Sequence, residues 1–174
     1  MRLFTLIFTS FLISCGQQKT DLMEKARKIH ERVLTLDTHN DINVKYFTDN
    51  LNYSMDTETQ VNLPKMRAGS LDVAWFIVYT GQGELTEQGY KKAADNAQAK
   101  FDAIHRLVKE YAPNKIGLAV SSKDVDSLRK MGKKVAMIGV ENAYPIGEDL
   151  NEVKRYYKLG ARYMSLAHNG HNQF

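Results

Sequence analysis

The run Leu71–Tyr79 (LDVAWFIVY) constrains this chain more than any other feature. Its apolar, β-branched and aromatic residues take successive rather than alternate positions, which predicts a strand buried on both faces. Such a strand needs helices above and below it, and the flanking sequence supplies them. Helical spacing covers Leu22 to Val33, with Asp21 or Thr20 as N-cap, and Thr86 to Tyr111, capped by Thr86 and stopped before Pro113. Ser121 or Ser122 caps a helix reaching Met131, and a helix from Glu148 to Leu159 ends at Gly160, a C′ glycine. Four shorter strands are predicted at Val33–Asp37, Ile116–Val120, Lys134–Val140 and Ala161–Ala167.

Strands alternating with helices imply an α/β fold around a parallel sheet. Five strands fit either an open doubly wound sheet or part of a (βα)8 barrel. No glycine-rich phosphate turn follows any of them, and the polar residues gather just past strand C-termini, where barrel active sites are built. The barrel is the expected architecture. The charged residues carry a formal net charge of +4, and the basic ones are dispersed in pairs such as Lys91-Lys92 and Lys133-Lys134. That pattern is a solvated surface, so no nucleic-acid partner is expected.

Three strand ends carry residues able to do chemistry. His39 and Asp41 stand two apart in Asp37-Thr38-His39-Asn40-Asp41, so in extended backbone both project to one side. An imidazole and a carboxylate placed that way can share one ion at bonds of about 2.0–2.2 Å, or simply form a polar strand end. Glu141 follows the fourth strand, where a carboxylate either faces a barrel mouth, able to bridge two ions, or is a solvated loop residue. His168 follows the fifth strand. Three such groups at corresponding strand ends point to a site more strongly than any one alone. His171 reads as an ordinary loop histidine, and His30 and His105 as surface or packing residues.

The N-terminus is different in kind. Arg2 precedes the uncharged apolar run Leu3–Ile13, and Leu12-Ile13-Ser14-Cys15 follows the pattern of a lipobox. A run that short does not span a bilayer core, which needs about 20 apolar residues. Residues 1–14 are expected to be a lipoprotein signal peptide and Cys15, the only cysteine, the lipidated residue. Residues 15–21 would be a tether and residues 22–174 the folded part. The expected location is the bacterial cell envelope, lipid-anchored, facing the periplasm or exterior.

Four stretches together resemble the renal (membrane) dipeptidase family. Leu36-Asp37-Thr38-His39-Asn40-Asp41 is similar to its D-x-H-N-D signature, and Gln60–Gly69 (QVNLPKMRAG) to the stretch leading into its second strand. Ile138-Gly139-Val140-Glu141-Asn142 matches the place of its bridging glutamate, and Leu159–Asn169 (LGARYMSLAHN) its L-G-x-R-Y stretch ending in histidine. The resemblance implies a (βα)8 TIM-barrel metallohydrolase with two Zn2+ ions that hydrolyses dipeptides, including those with a D-residue second. It implies that His39 and Asp41 bind one zinc, that Glu141 bridges both, and that His168 touches the substrate or its oxyanion. It also admits a homodimer. One departure is Asn142-Ala143, where the family usually carries glycines.

A whole barrel takes ~250 residues, so about the first five βα units are expected here. In the family the second zinc's two histidines, a catalytic aspartate and a substrate-binding arginine come later in sequence. The expectation for these 174 residues by themselves is a truncated, inactive fragment. The alternatives are a non-enzymatic lipoprotein half-barrel retained for binding, and an amidohydrolase acting on a cyclic amide or lactam.

Overall fold

The computed structural model describes residues 20–174. The predicted signal peptide and Cys15 lie outside the described residues. Two compact units divide the chain after Thr35. The described part of the first holds helix α1, residues 20–32, which takes in Thr20 and Asp21 from the end of the predicted tether. Arg27 pairs along it with Glu24 at 2.9 Å and with Glu31 at 2.7 Å, the i,i+3 and i,i+4 spacings that bring side chains together on a helix.

The second unit, Leu36–Phe174, is a five-stranded parallel sheet with helices. In chain order it holds β1 (Leu36–Asp41), α2 (Leu63–Ala68), β2 (Val73–Tyr79), α3 (Glu87–Arg106), β3 (Ile116–Leu118), α4 (Ser122–Lys130), β4 (Lys134–Glu141), α5 (Asn151–Lys158) and β5 (Ala161–Met164). The caps of α3 and α4 act as the sequence predicts, whereas Thr20 and Asp21, the expected caps of the first helix, lie within α1. Thr86 accepts from the amide of Gly89 and Ser121 from that of Asp124, each satisfying a first-turn donor. Gly160 takes φ +106° just beyond α5, a conformation that suits a residue without Cβ.

Several features differ from the sequence reading: α5 starts at Asn151 rather than Glu148, β3 ends at Leu118 rather than Val120, β5 ends at Met164 rather than Ala167, and β4 takes in Glu141. β1 starts at Leu36 rather than Val33 and includes the whole Asp37–Asp41 motif. α2 forms inside the Gln60–Gly69 stretch, because the Asn62 side chain caps it and Pro64 suits a first turn. The last turn of the long helix after α3, Leu107–Tyr111, widens to a π-helix.

The strand order also departs from five consecutive units. β4 pairs along its length with β2, while β3 and β5 share its other edge. β3 takes the first half, ending at Leu118 opposite Ala136, and β5 takes the second half from Ile138 onward. Since all pairings are parallel, the C-terminal ends of β1, β2, β4 and β5 lie at one end of the sheet. β3 stops short of that level.

Side chains alternate between the two faces of each strand. Ala74, Phe76 and Val78 of β2 join Ala136, Ile138 and Val140 of β4 in the main core, with Ala97, Phe101 and Ile104 of α3. Burying each large side chain there contributes about 1.5–3 kcal/mol. The opposite face carries Val73 and Val135, with Trp75 and Met137 packed on them, and continues upward to Tyr79 and Glu141. That second face is the one that carries the candidate site.

Candidate metal centre

The Asp37–Asp41 motif owes its shape to a bulge. Asp37 pairs with Ala74 and Asn40 with Phe76, so two residues, Thr38 and His39, stand opposite the single Trp75. The Asp37 carboxylate accepts the amide of His39 at 3.0 Å, and the buried Asn40 amide donates to the Trp75 carbonyl at 3.2 Å. A bulge bends the strand and re-aims the side chain at the extra position. Here it directs His39 toward β4.

His39 Nε2 lies 3.2 Å from Glu141 Oε2 and 3.9 Å from Asp41 Oδ1. The three residues offer one ligand atom each, all within 4.8 Å of one another, and among the described residues they are the one group of this kind. A tetrahedral ion with bonds of about 2.0–2.2 Å sets its donors roughly 3.3–3.6 Å apart. The triad therefore fits a divalent cation after small side-chain adjustments. Its donors, one imidazole and two carboxylates, suit zinc and other borderline ions. The His39 and Asp41 side chains are open to solvent and that of Glu141 is mostly covered, so an ion has an entry path.

The second oxygen of Glu141 is also engaged. Glu141 Oε1 lies 3.3 Å from His168 Nε2. The other ring nitrogen, Nδ1, donates to Asn169 Oδ1 at 2.6 Å, and the Tyr79 ring meets the imidazole edge-on at 5.0 Å. Lys100 of α3 donates to the Tyr79 carbonyl at 2.6 Å, and its ammonium lies 5.5 Å from the ring centre. Burial holds the Lys100 ammonium below its usual range, while the charges of Asp41 and Glu141 act in the other direction.

Beneath these groups Tyr163 crosses the sheet. It pairs with Gly139 in β5–β4 register, packs its ring 5.1 Å from that of Trp75, and donates its hydroxyl to the Thr38 carbonyl at 3.3 Å. The crossing depends on Gly139, where a Cβ would stand 2.1 Å from the ring carbon Cζ. Burial first, then the charges of Glu141 and Asp41, raise the phenol above its ordinary range.

The structure thus brings together His39, Asp41, Glu141 and His168, all four named from the sequence. His171 is an exposed loop residue and His30 is exposed on α1. His105 is a packing residue whose Nε2–H donates to the Leu159 carbonyl at 2.8 Å. Sequence reasoning missed Tyr79, Lys100 and Tyr163 as parts of the site. The signal for Tyr163 was its place opposite a glycine, readable only with the register. A cavity of about 550 Å³ lies elsewhere, between the loop after β2, the start of α3 and Tyr144, and holds none of the four residues.

The chain resembles known proteins along most of its length. The chain is 29% identical over 180 residues to the dipeptidase aclJ of Aspergillus oryzae, covering 96% of this chain and 41% of that protein. It is 26% identical over 160 residues to the dipeptidase ataJ of Aspergillus terreus, covering 86% of this chain and 39% of the relative. The chain therefore spans about two fifths of the curated relatives it matches. Its fold superposes on the probable dipeptidase PvdM of Pseudomonas aeruginosa with a TM-score of 0.81 at 24% identity, over 89% of this chain and 40% of that one. The fold is α/β with a parallel sheet that matches dipeptidase TIM barrels, and the sheet here is part of such a barrel. Residues 23–174 match the family described as membrane dipeptidase (peptidase family M19), and the chain belongs to that family of metallo-dipeptidases.

Proposed function

We propose that this chain supplies the first half of a binuclear zinc centre that hydrolyses dipeptides. The observation that carries the reading is the division of the Glu141 carboxylate, one oxygen toward His39 and the other toward His168. His39, Asp41 and Glu141 would hold one Zn2+, and Glu141 would be shared with a second. When bound, the metal supplies Lewis-acid polarisation of the scissile carbonyl and acidifies a water.

The chain's own residues do the rest. With Nδ1 donating to Asn169, His168 would donate from Nε2 to the oxyanion developing on the peptide carbonyl in its doubly protonated form, an interaction strengthened where water is excluded. Asn169 and Tyr79 keep that ring from turning, so the donor is set before the substrate arrives. Asn40 and the bulge hold His39 toward Glu141.

The test is dipeptide hydrolysis by the protein expressed from its gene, with L-Ala-L-Ala and L-Ala-D-Ala as substrates and free alanine as readout. Turnover that stops on chelation, returns with Zn2+ and is lost in His39→Ala supports the reading. Turnover unaffected by both treatments, or a protein that binds no Zn2+, refutes it. For the N-terminal segment we propose a lipid anchor at Cys15 in a bacterial envelope, a reading supported by Arg2, the apolar run Leu3–Ile13 and the sequence Leu12–Cys15.

A further inference from the structure

We infer that Asn142 is a positioning residue for the Glu141 carboxylate; the inference rests on the metal-centre reading above. Asn142 follows Glu141 directly, is fully buried and takes φ +74°, in the left-handed region. Asparagine adopts that conformation more readily than other residues with a side chain. The backbone therefore turns sharply at the residue after the ligand, and the chain leaves β4 while the Glu141 side chain stays on the inner face.

Every polar group of Asn142 other than its carbonyl is used at this corner. Its amide N–H donates to Ser165 Oγ at 2.9 Å, and its side-chain NH2 donates to the Thr80 carbonyl at 3.0 Å. Its side-chain oxygen accepts the Tyr144 amide at 3.1 Å and the Asn172 side-chain amide at 3.3 Å. Thr80 follows Tyr79, which pairs with Glu141 across the β2–β4 ladder. Ser165 also donates its backbone amide to the Val140 carbonyl at 3.0 Å, and lies three residues before His168. The Asn142 side chain thus ties the corner after Glu141 to the end of β2, and its backbone amide ties the same corner to the segment leading to His168.

Such a tie matters for a ligand more than for the fold. The strand pairing already fixes the Glu141 backbone, but each carboxylate oxygen must meet a separate partner within a few tenths of an ångström. Loss of a partner hydrogen-bonded directly to a ligand typically weakens metal binding roughly 10–100-fold; Asn142 touches no ligand side chain and acts through the Glu141 backbone, so a smaller loss is expected. Glycine at position 142 accepts φ +74° without strain, so Asn142→Gly removes the side-chain contacts to Thr80, Tyr144 and Asn172 while keeping the backbone N–H on Ser165 and leaving the backbone able to turn.

The experiment is Zn2+ titration of the full chain against a chromophoric chelator, with the Co2+ absorption spectrum as a second readout of site geometry. In folded Asn142→Gly the Zn2+ dissociation constant is expected to rise about threefold or more, below the range for a partner bonded to the ligand itself, and the Co2+ spectrum to change shape. A folded variant with unchanged affinity and spectrum overturns the inference, whatever its melting temperature. Should Asn142→Gly not fold, Ser165→Ala decides, with an expected rise of about threefold or more and an unchanged affinity as the overturning result. If the wild-type chain binds no Zn2+, the metal-centre reading itself fails, an outcome distinct from an unaffected variant.

Discussion

His39 and Glu141 stand on strands that do not touch, since β2 lies between β1 and β4, yet their side chains meet at 3.2 Å. Adjacent strands lie about 4.8 Å apart, so this contact spans two such spacings. It exists because the bulge at Thr38–His39 re-aims the His39 side chain across β2.

That relationship makes Glu141 the residue most sensitive to change in the centre. Glu141→Gln keeps the shape and removes the charge. Zn2+ affinity is expected to fall by more than the roughly 10–100-fold typical of an outer contact. Calorimetric titration measures it, and equal affinity in the two proteins would show that the ion binds elsewhere.

Gly139 is the second sensitive position, through packing rather than charge. A methyl there would stand 2.1 Å from the Tyr163 ring. Gly139→Ala is expected to cost about 1–3 kcal/mol, the usual range for overpacking. Urea denaturation measures the loss. With Tyr163→Ala in the same chain the penalty should largely vanish, because the clash partner is gone and the two effects are coupled.

Helix α4 carries a pH-dependent cap. The Ser121 hydroxyl, then the Val120 amide, hold the Asp124 carboxyl below the ordinary carboxylate range. Because the folded-state value is depressed, the cap stabilises fully above the unfolded value of about 3.9 and is lost as pH falls through the folded value. The melting temperature of the wild type is expected to fall more steeply below about pH 4 than that of Asp124→Asn. Parallel curves would show that the cap contributes nothing.

Cys15 gives a prediction independent of the fold. Cells grown with a radiolabelled fatty acid are expected to label the wild-type protein and not Cys15→Ser. Equal labelling of both would remove the lipid-anchor reading.

Much of this protein was written locally. The nine-residue run at Leu71–Tyr79, the caps at Thr86 and Ser121, and the glycine after α5 are short-range signals, each legible because neighbours within a few residues produce it. His39, Asp41, Glu141 and His168 were legible for the same reason, as polar residues ending apolar runs.

What the sequence by itself determined was therefore a set of strands, helices and candidate ligands. Tertiary structure alone decided that β4 sits beside β2, that β3 stops below the site, and that β1 bulges at Thr38–His39. It also decided that Tyr163 reaches Thr38 across 125 positions and that Asn142 joins Thr80 across 62. Those arrangements come from register and packing between distant segments, and no window of neighbouring residues encodes them.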